Sequence, residues 1–334
     1  MGNNCFNSSN KSTAEIAPYS FIKSATASAA TSTVTVKLYG SPTSTVTSYI
    51  RFALLYKTVS LQFIPTTDTQ PVLQIGSDTV SGPPEMILRL IEAKFPQPSL
   101  VVKERGRGSD GLGETTPLIV KAIVLQHRSM TWHLNRIVRW GEDLATRGGK
   151  KTVDPTMGSP RMEMKKFGKS YSMLLEVMLE HAQMEERVVF PVLEMADRGL
   201  CKVANEEHGR DLPLMNGIKE YIKSIAVLDT AHPHFRDALS SLSSRLKSLL
   251  KHCKEHFEEE ERDVLPLMEA VELTKEEGVR VLEQCFDVMQ GSHSHLLNFL
   301  MEGLLPCEAM LYLDLILRCK HEERAGSMLR SLIE

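Results

Sequence analysis

His181-Ala182-Gln183-Met184-Glu185-Glu186-Arg187-Val188-Val189-Phe190-Pro191 and His256-Phe257-Glu258-Glu259-Glu260-Glu261-Arg262-Asp263-Val264-Leu265-Pro266 carry one pattern twice. Each runs His-x3-Glu, then four residues, a large apolar residue and Pro. Residues four apart stack on one helix face, so His181 with Glu185, and His256 with Glu260, each present an imidazole and a carboxylate in one direction. A carboxylate bridges two cations through its two oxygens while imidazoles cap them, so two such helices facing each other make the halves of a dinuclear cage. A lone histidine on an apolar face is more often hydrogen-bonded core than ligand. The repeat of both the spacing and the proline stop argues against that reading here.

Working outward, the neighbouring helical stretches each supply one more histidine, His127 in Leu125-Gln126-His127-Arg128 and His208 in Asn205-Glu206-Glu207-His208. His133, six residues beyond His127, points elsewhere and is expected at the surface or behind the ligands; Glu186 is a further carboxylate, either for the outer layer or as an alternative ligand. Helical periodicity predicts six helices over 119–144, 162–196, 203–225, 235–271, 274–302 and 308–333. Met162, Met164, Met173, Met178 and Met184 are expected as adaptable core. His321-Glu322-Glu323 is read as a solvated face, since adjacent helix residues diverge.

The order His, His-x3-Glu-x4-Phe-Pro, Glu-His, His-x3-Glu-x4-Leu-Pro over 116–269 resembles the hemerythrin-like, HHE cation-binding family. The resemblance implies an up-down four-helix bundle around a non-haem di-iron centre. It implies His127, His181, His208 and His256 as terminal ligands and Glu185 and Glu260 as bridges. Iron, two ions per chain, is the implied occupant, with manganese or zinc behind it. Oxygen carriers of the wider family use a further histidine where this chain has Leu212, which leaves one metal an open place; His252, one turn before His256, is the residue that would compensate.

The N-terminal part is of a different kind. Residues 33–39 alternate and are β-branched; an apolar stretch at 49–56, a second strand-like run at 59–65, a hairpin at 71–80 and a proline-led helix at 84–95 follow. Tyr39-Gly40-Ser41-Pro42-Thr43-Ser44-Thr45 and Gln70-Pro71-Val72-Leu73 resemble the thioredoxin-like N-terminal half of glutathione S-transferases. The resemblance implies Ser44 as the hydroxyl that meets a glutathione sulfur and Pro71 as a cis proline. The stretch 66–70 is too short for the helix that family places there. Pro84 stands where the family has a glutathione-holding serine, and it offers neither hydroxyl nor N–H. A structural or docking role is therefore expected for this module.

The expected fold is multidomain: a small α/β thioredoxin-like domain, then an all-α hemerythrin-like four-helix bundle with two additional C-terminal helices. The expected boundaries are a leader at 1–32, the degenerate thioredoxin-like domain at 33–102, a Gly-rich linker at 103–116, the bundle at 117–271 and a helical extension at 272–334. The leader is rich in Ser, Thr, Ala and Asn with Glu15 its only acid. It opens Met1-Gly2-Asn3-Asn4-Cys5, offering Gly2 for myristoylation and Cys5 for palmitoylation, the two signals stable anchoring needs. An organelle transit peptide and an inert tail are the alternatives.

A chain of 334 residues buries a core without disulfide staples. Its six cysteines are scattered without a CxxC, as reduced thiols are. A net charge of -3 gives no basic face for nucleic acid, and no apolar run spans a bilayer. The expected function is metal binding in iron, oxygen or redox sensing or handling, with O2 and an unidentified protein as further partners. The alternatives are a di-iron oxidase or peroxidase, and a membrane-tethered interaction scaffold with a vestigial site. The expected location is the cytoplasm, with plasma-membrane attachment or organelle targeting as the variants.

Overall fold

The structure is a computed structural model that describes residues 34–102, 112–152, 154–195, 197–230, 232–319 and 322–333. Gly2 and Cys5, His321 and most of the Gly-rich linker lie outside them.

The N-terminal module runs β1 (Thr35–Gly40), α1 (Thr45–Leu55), β2 (Ser60–Pro65), β3 (Val72–Ile75), β4 (Asp78–Ser81) and α2 (Pro84–Lys94). The sheet order is β2-β1-β3-β4, with β1 parallel to β2 and antiparallel to β3, and β3 antiparallel to β4. Alternation on β1 buries Val36 and Leu38, which sit opposite Ile75 and Leu73. Phe52, Ile87 and Ile91 of the helices are also fully buried. This βαβ-ββα arrangement is consistent with a thioredoxin-like half, and β2 passes to β3 without the intervening helix. Ser44 is occupied structurally: its oxygen caps α1 by accepting from Thr47 N, and its hydroxyl donates to the Thr69 carbonyl at 3.2 Å. The expectation of a cis Pro71 is corrected, since Gln97-Pro98 is the one cis bond among the described residues.

The helical part begins with α3 (Leu118–Arg147), then α4 (Pro160–Met184), the short α5 (Phe190–Leu193), α6 (Lys202–Val227) and α7 (Pro233–Glu259). α3 packs on α4 and α7, and α6 packs on the same two, which closes a four-helix ring. Caps set the ends: Ser159 accepts from Met162 N ahead of Pro160, and Gly148 stops α3 in the left-handed region at φ 55°, ψ 43°. Of the expected core methionines, Met164, Met178 and Met184 are buried, whereas Met162 is exposed.

Each of the two expected C-terminal helices is broken. The stretch 274–302 splits into α8 (Lys275–Val288) and α9 (Leu297–Glu302), because the N–H groups of Gly291 and Ser292 turn to the Glu180 carboxylate at 2.8 and 2.7 Å. The stretch 308–333 splits into α10 (Pro306–Arg318) and α11 (Glu322–Ile333), with Cys319 extended at φ -71°, ψ 145°. α8, α9 and α10 all pack on α3. That is why α3 buries every residue from 119 to 127 and not one stripe. α11 and α10 both pack on α1 of the small module, and Tyr49 of α1 donates to Asp314 of α10 at 2.6 Å. No described helix is long and apolar enough to cross a membrane.

Candidate metal centre

The two His-x3-Glu stretches lie on α4 and α7, and in each the helix changes at the glutamate. Residues Glu185–Val189 and Glu260–Val264 form π-helical turns, in which Phe190 N donates to the Glu185 carbonyl and Leu265 N to that of Glu260. The prolines explain both turns. Pro191 and Pro266 have no N–H, so the regular hydrogen-bond ladder is already interrupted one residue further on, and widening the turn costs less there.

His127 on α3, His181 on α4, His208 on α6 and His256 on α7 all send a ring nitrogen toward the space between Glu185 and Glu260. His181 Nε2 lies 3.0 Å from Glu185 Oε1, and His208 Nε2 lies 3.4 Å from Glu185 Oε2. His127 Nε2 is 3.4 Å from Glu260 Oε2, and His256 Nε2 is 3.9 Å from the same oxygen. All six sequence-predicted residues are therefore in one cluster. It divides into two donor groups, His127, His181, Glu185 and Glu260, and then Glu185, His208 and His256. Glu185 belongs to both, with one oxygen toward each group.

The spacing fits cations. His127 Nε2 and His181 Nε2 are 3.0 Å apart. Donors at right angles around one ion, each at about 2.1 Å, are separated by about 3.0 Å. Both oxygens of Glu185, both of Glu260 and Nε2 of His256 are buried without a hydrogen-bond partner. Orphaned carboxylate oxygens in a closed interior cost several kcal/mol unless a positive charge faces them.

The outward faces of the imidazoles are satisfied. Each Nδ1–H donates: His127 to Glu261 at 2.9 Å, His181 to the Gln126 carbonyl at 2.8 Å, His208 to Glu186 at 3.0 Å and His256 to Glu207 at 2.8 Å. A donor fixed at Nδ1 leaves Nε2 as the lone-pair nitrogen, the tautomer a metal ligand needs. Glu186 is thus placed in the outer layer, one of its two expected places. Glu207, Glu261 and Gln126 were given no role from the sequence, although each is adjacent to a ligand in the chain.

Electrostatics follow the packing. Burial pushes His127 down, but Glu185, Glu260 and Glu261 outweigh it and hold its pKa well above the usual histidine value. His181 is pushed down by burial despite Glu185 beside it. Burial pushes Glu185 up, yet His181 and His127 outweigh it and keep its carboxyl well below the usual range.

Two expectations are corrected. His133 is neither surface nor ligand support: it is buried, stacked on Phe299 with ring centres 3.7 Å apart, and donates from Nε2 to the Phe299 carbonyl at 2.7 Å. His252 does not compensate for the absent histidine, since it is exposed on α7. Leu212 is 40% exposed and lines a cavity of about 260 Å³ that reaches His181, His208 and His256 between Met178, Met215 and Phe257. His208 is the least buried of the four histidines, which makes its group the open side of the cage. The five described cysteines are free, and burial raises the thiol pKa of Cys201 and Cys253 to about 12, which keeps both protonated and inert.

Residues 118–268 match the family model described as Hemerythrin HHE cation binding domain. No curated protein and no solved structure matches the chain.

Proposed function

We propose that this chain, whose residues 118–268 form a hemerythrin HHE cation-binding domain, holds two iron ions per chain and serves in sensing or handling iron, oxygen or redox state. One observation carries the reading: four buried carboxylate oxygens and a buried imidazole nitrogen face one another without hydrogen-bond partners. His127, His181, Glu185 and Glu260 would hold one ion, and His208 and His256 with the second oxygen of Glu185 the other. Mixed imidazole and carboxylate donors suit iron first, then manganese or zinc. A bound pair would supply redox chemistry, while the chain's own Glu261, Gln126, Glu186 and Glu207 hold Nδ1 of the four histidines and so aim each Nε2 at it.

Because the folded bundle alone assembles the donors, metal binding adds to its stability, and occupancy is reported as stability. The test is metal content and the optical spectrum of anaerobically purified full chain beside a His181→Ala/His256→Ala double mutant, with protease sensitivity read with and without chelator. Two irons per chain, lost in the mutant, together with faster proteolysis after chelation, are expected. A metal-free wild type of equal protease resistance would leave a scaffold with a vestigial site.

The second reading, a di-iron oxidase or peroxidase, is favoured by the cavity at Leu212, which gives a small molecule access to the open side of the cage. Substrate-dependent turnover above that of free iron distinguishes it. Peripheral membrane attachment through Gly2 and Cys5 is a separate proposal, tested by metabolic acyl labelling of the wild type against Gly2→Ala.

A further inference from the structure

A chain of hydrogen bonds leaves the cage and ends in the C-terminal extension, outside the family-matched segment. His181 Nδ1–H donates to Gln126 Oε1, Gln126 Nε2 donates to the Tyr312 oxygen at 3.0 Å, and Tyr312 faces His293 Nε2 at 2.9 Å. His293 Nδ1–H donates to the Met289 carbonyl at 2.8 Å, so its Nε2 carries the lone pair and accepts the phenol proton. Every link thus has one direction. Tyr312 and Gln126 are fully buried, and His293 is 2% exposed, so water does not substitute for any of them.

The direction matters for the cage. A side-chain amide has an oxygen end and a nitrogen end, and Gln126 turned over would present N–H groups to His181 Nδ1. His181 would then have to accept at Nδ1 and carry its proton on Nε2, where the cage needs a lone pair. What holds the amide in register is an acceptor oxygen on its far side. Tyr312 is that acceptor only while its own proton is engaged by His293.

We propose that Tyr312, seated by His293, is a positioning residue for the metal centre: it fixes the orientation of Gln126 and through it the tautomer of His181. The proposal rests on the reading that the cage binds metal. It makes α10 and the turn before α9 part of the centre's outer layer, so the extension is needed for tight loading of one ion of the pair.

The test is a competition titration of full-length chain with ferrous ion under anaerobic conditions, and nitrogen-15 histidine spectra of the metal-free chain. Tyr312→Phe is expected to weaken one of the two ions about 10-fold, the lower end of what loss of an outer hydrogen-bond partner costs, and to leave the other unchanged. It is also expected to perturb the His181 tautomer signal. His293→Gln, which keeps an acceptor for the phenol, is expected to bind as the wild type does, and His293→Leu to behave like Tyr312→Phe. Should Tyr312→Phe not fold, the His293 pair decides alone: equal binding by His293→Gln and His293→Leu would overturn the proposal. Equal weakening of both ions with an unaltered His181 signal would also overturn it, because that marks a general loosening of the bundle. A wild type that binds two ions beside a Tyr312→Phe chain that binds them identically removes only this proposal, and a wild type that binds none removes the metal reading with it.

Discussion

His127 and His133 stand six residues apart on one helix, both about 2% exposed, and meet opposite fates. His127 faces three carboxylates and is held well above the ordinary histidine pKa after burial has been outweighed. His133 faces a carbonyl and the Phe299 ring, and burial, with Arg136 nearby, lowers it to about 3; His293 is lowered by burial to about 4. Both are bases whose folded-state pKa lies below the unfolded value near 6.5. As pH falls below that value the unfolded chain takes up protons that the folded chain refuses, so stability is lost, by about 1.4 kcal/mol per pH unit for each such histidine. The loss stops once the folded form also protonates, near pH 3 to 4. His133→Gln keeps a donor for the Phe299 carbonyl and removes the titration. Denaturant unfolding in chelator between pH 6.5 and 4.5 should therefore be shallower in pH by about 1.4 kcal/mol per unit in the variant. Identical slopes would mean that His133 is not held neutral. The shared direction of His181 with Glu185, and of His256 with Glu260, was readable because helical spacing converts directly into a common face, whereas His127 and His208 came into the cluster by the order of the family pattern. Gln126 and Tyr312 were not readable, because their roles depend on which neighbour the fold brings opposite them, 186 residues apart in sequence.

The helices show where periodicity informs and where it fails. The repeat of His-x3-Glu and Pro located α4 and α7, yet it did not disclose the π-turns, since only Phe190–Leu193 and Leu265–Val271 follow them, too few residues to show the shift in phase that one extra residue makes. Nor did it show that 274–302 would break, because the break is made by a distant acceptor, Glu180. The helix α9 ends at Gly303, and a Cβ there would sit 2.8 Å from both Cα and the carbonyl oxygen of Ser129 on α3. Those atoms belong to a helix backbone that cannot give way, and Ser129 Oγ donates to the Leu300 carbonyl at 2.7 Å in the same contact. Gly303→Ala should therefore cost about 1 to 3 kcal/mol, the usual range for overpacking, read as a lower denaturant midpoint at unchanged slope. An unaltered midpoint would show that α9 can lift away from α3 freely.

At the scale of the whole molecule, α10 serves two neighbours from opposite faces. Tyr312 points toward the cage by way of Gln126, and Asp314, two residues and about 200° further around the helix, accepts from Tyr49 of the small module. Asp314 is raised above the ordinary aspartate pKa, chiefly by burial and against the hydrogen bond from Tyr49. Removing that donor leaves a partly buried carboxylate with less compensation than before. Tyr49→Phe is expected to cost about 1 to 2 kcal/mol, and Asp314→Asn less, because an amide oxygen still accepts from the phenol without carrying a charge. The contact also predicts how the two parts unfold. Both tryptophans, Trp132 and Trp140, lie in α3, so fluorescence follows the bundle, while hydrogen exchange at β1 amides follows the small module. If α10 joins them, metal at 100 times its dissociation constant should stabilise the bundle by about 2.7 kcal/mol and slow exchange in β1 as well. Tyr49→Phe should keep the first effect and lose much of the second. Exchange in β1 that ignores metal in the wild type would show that the small module is seated on the extension without sharing its stability.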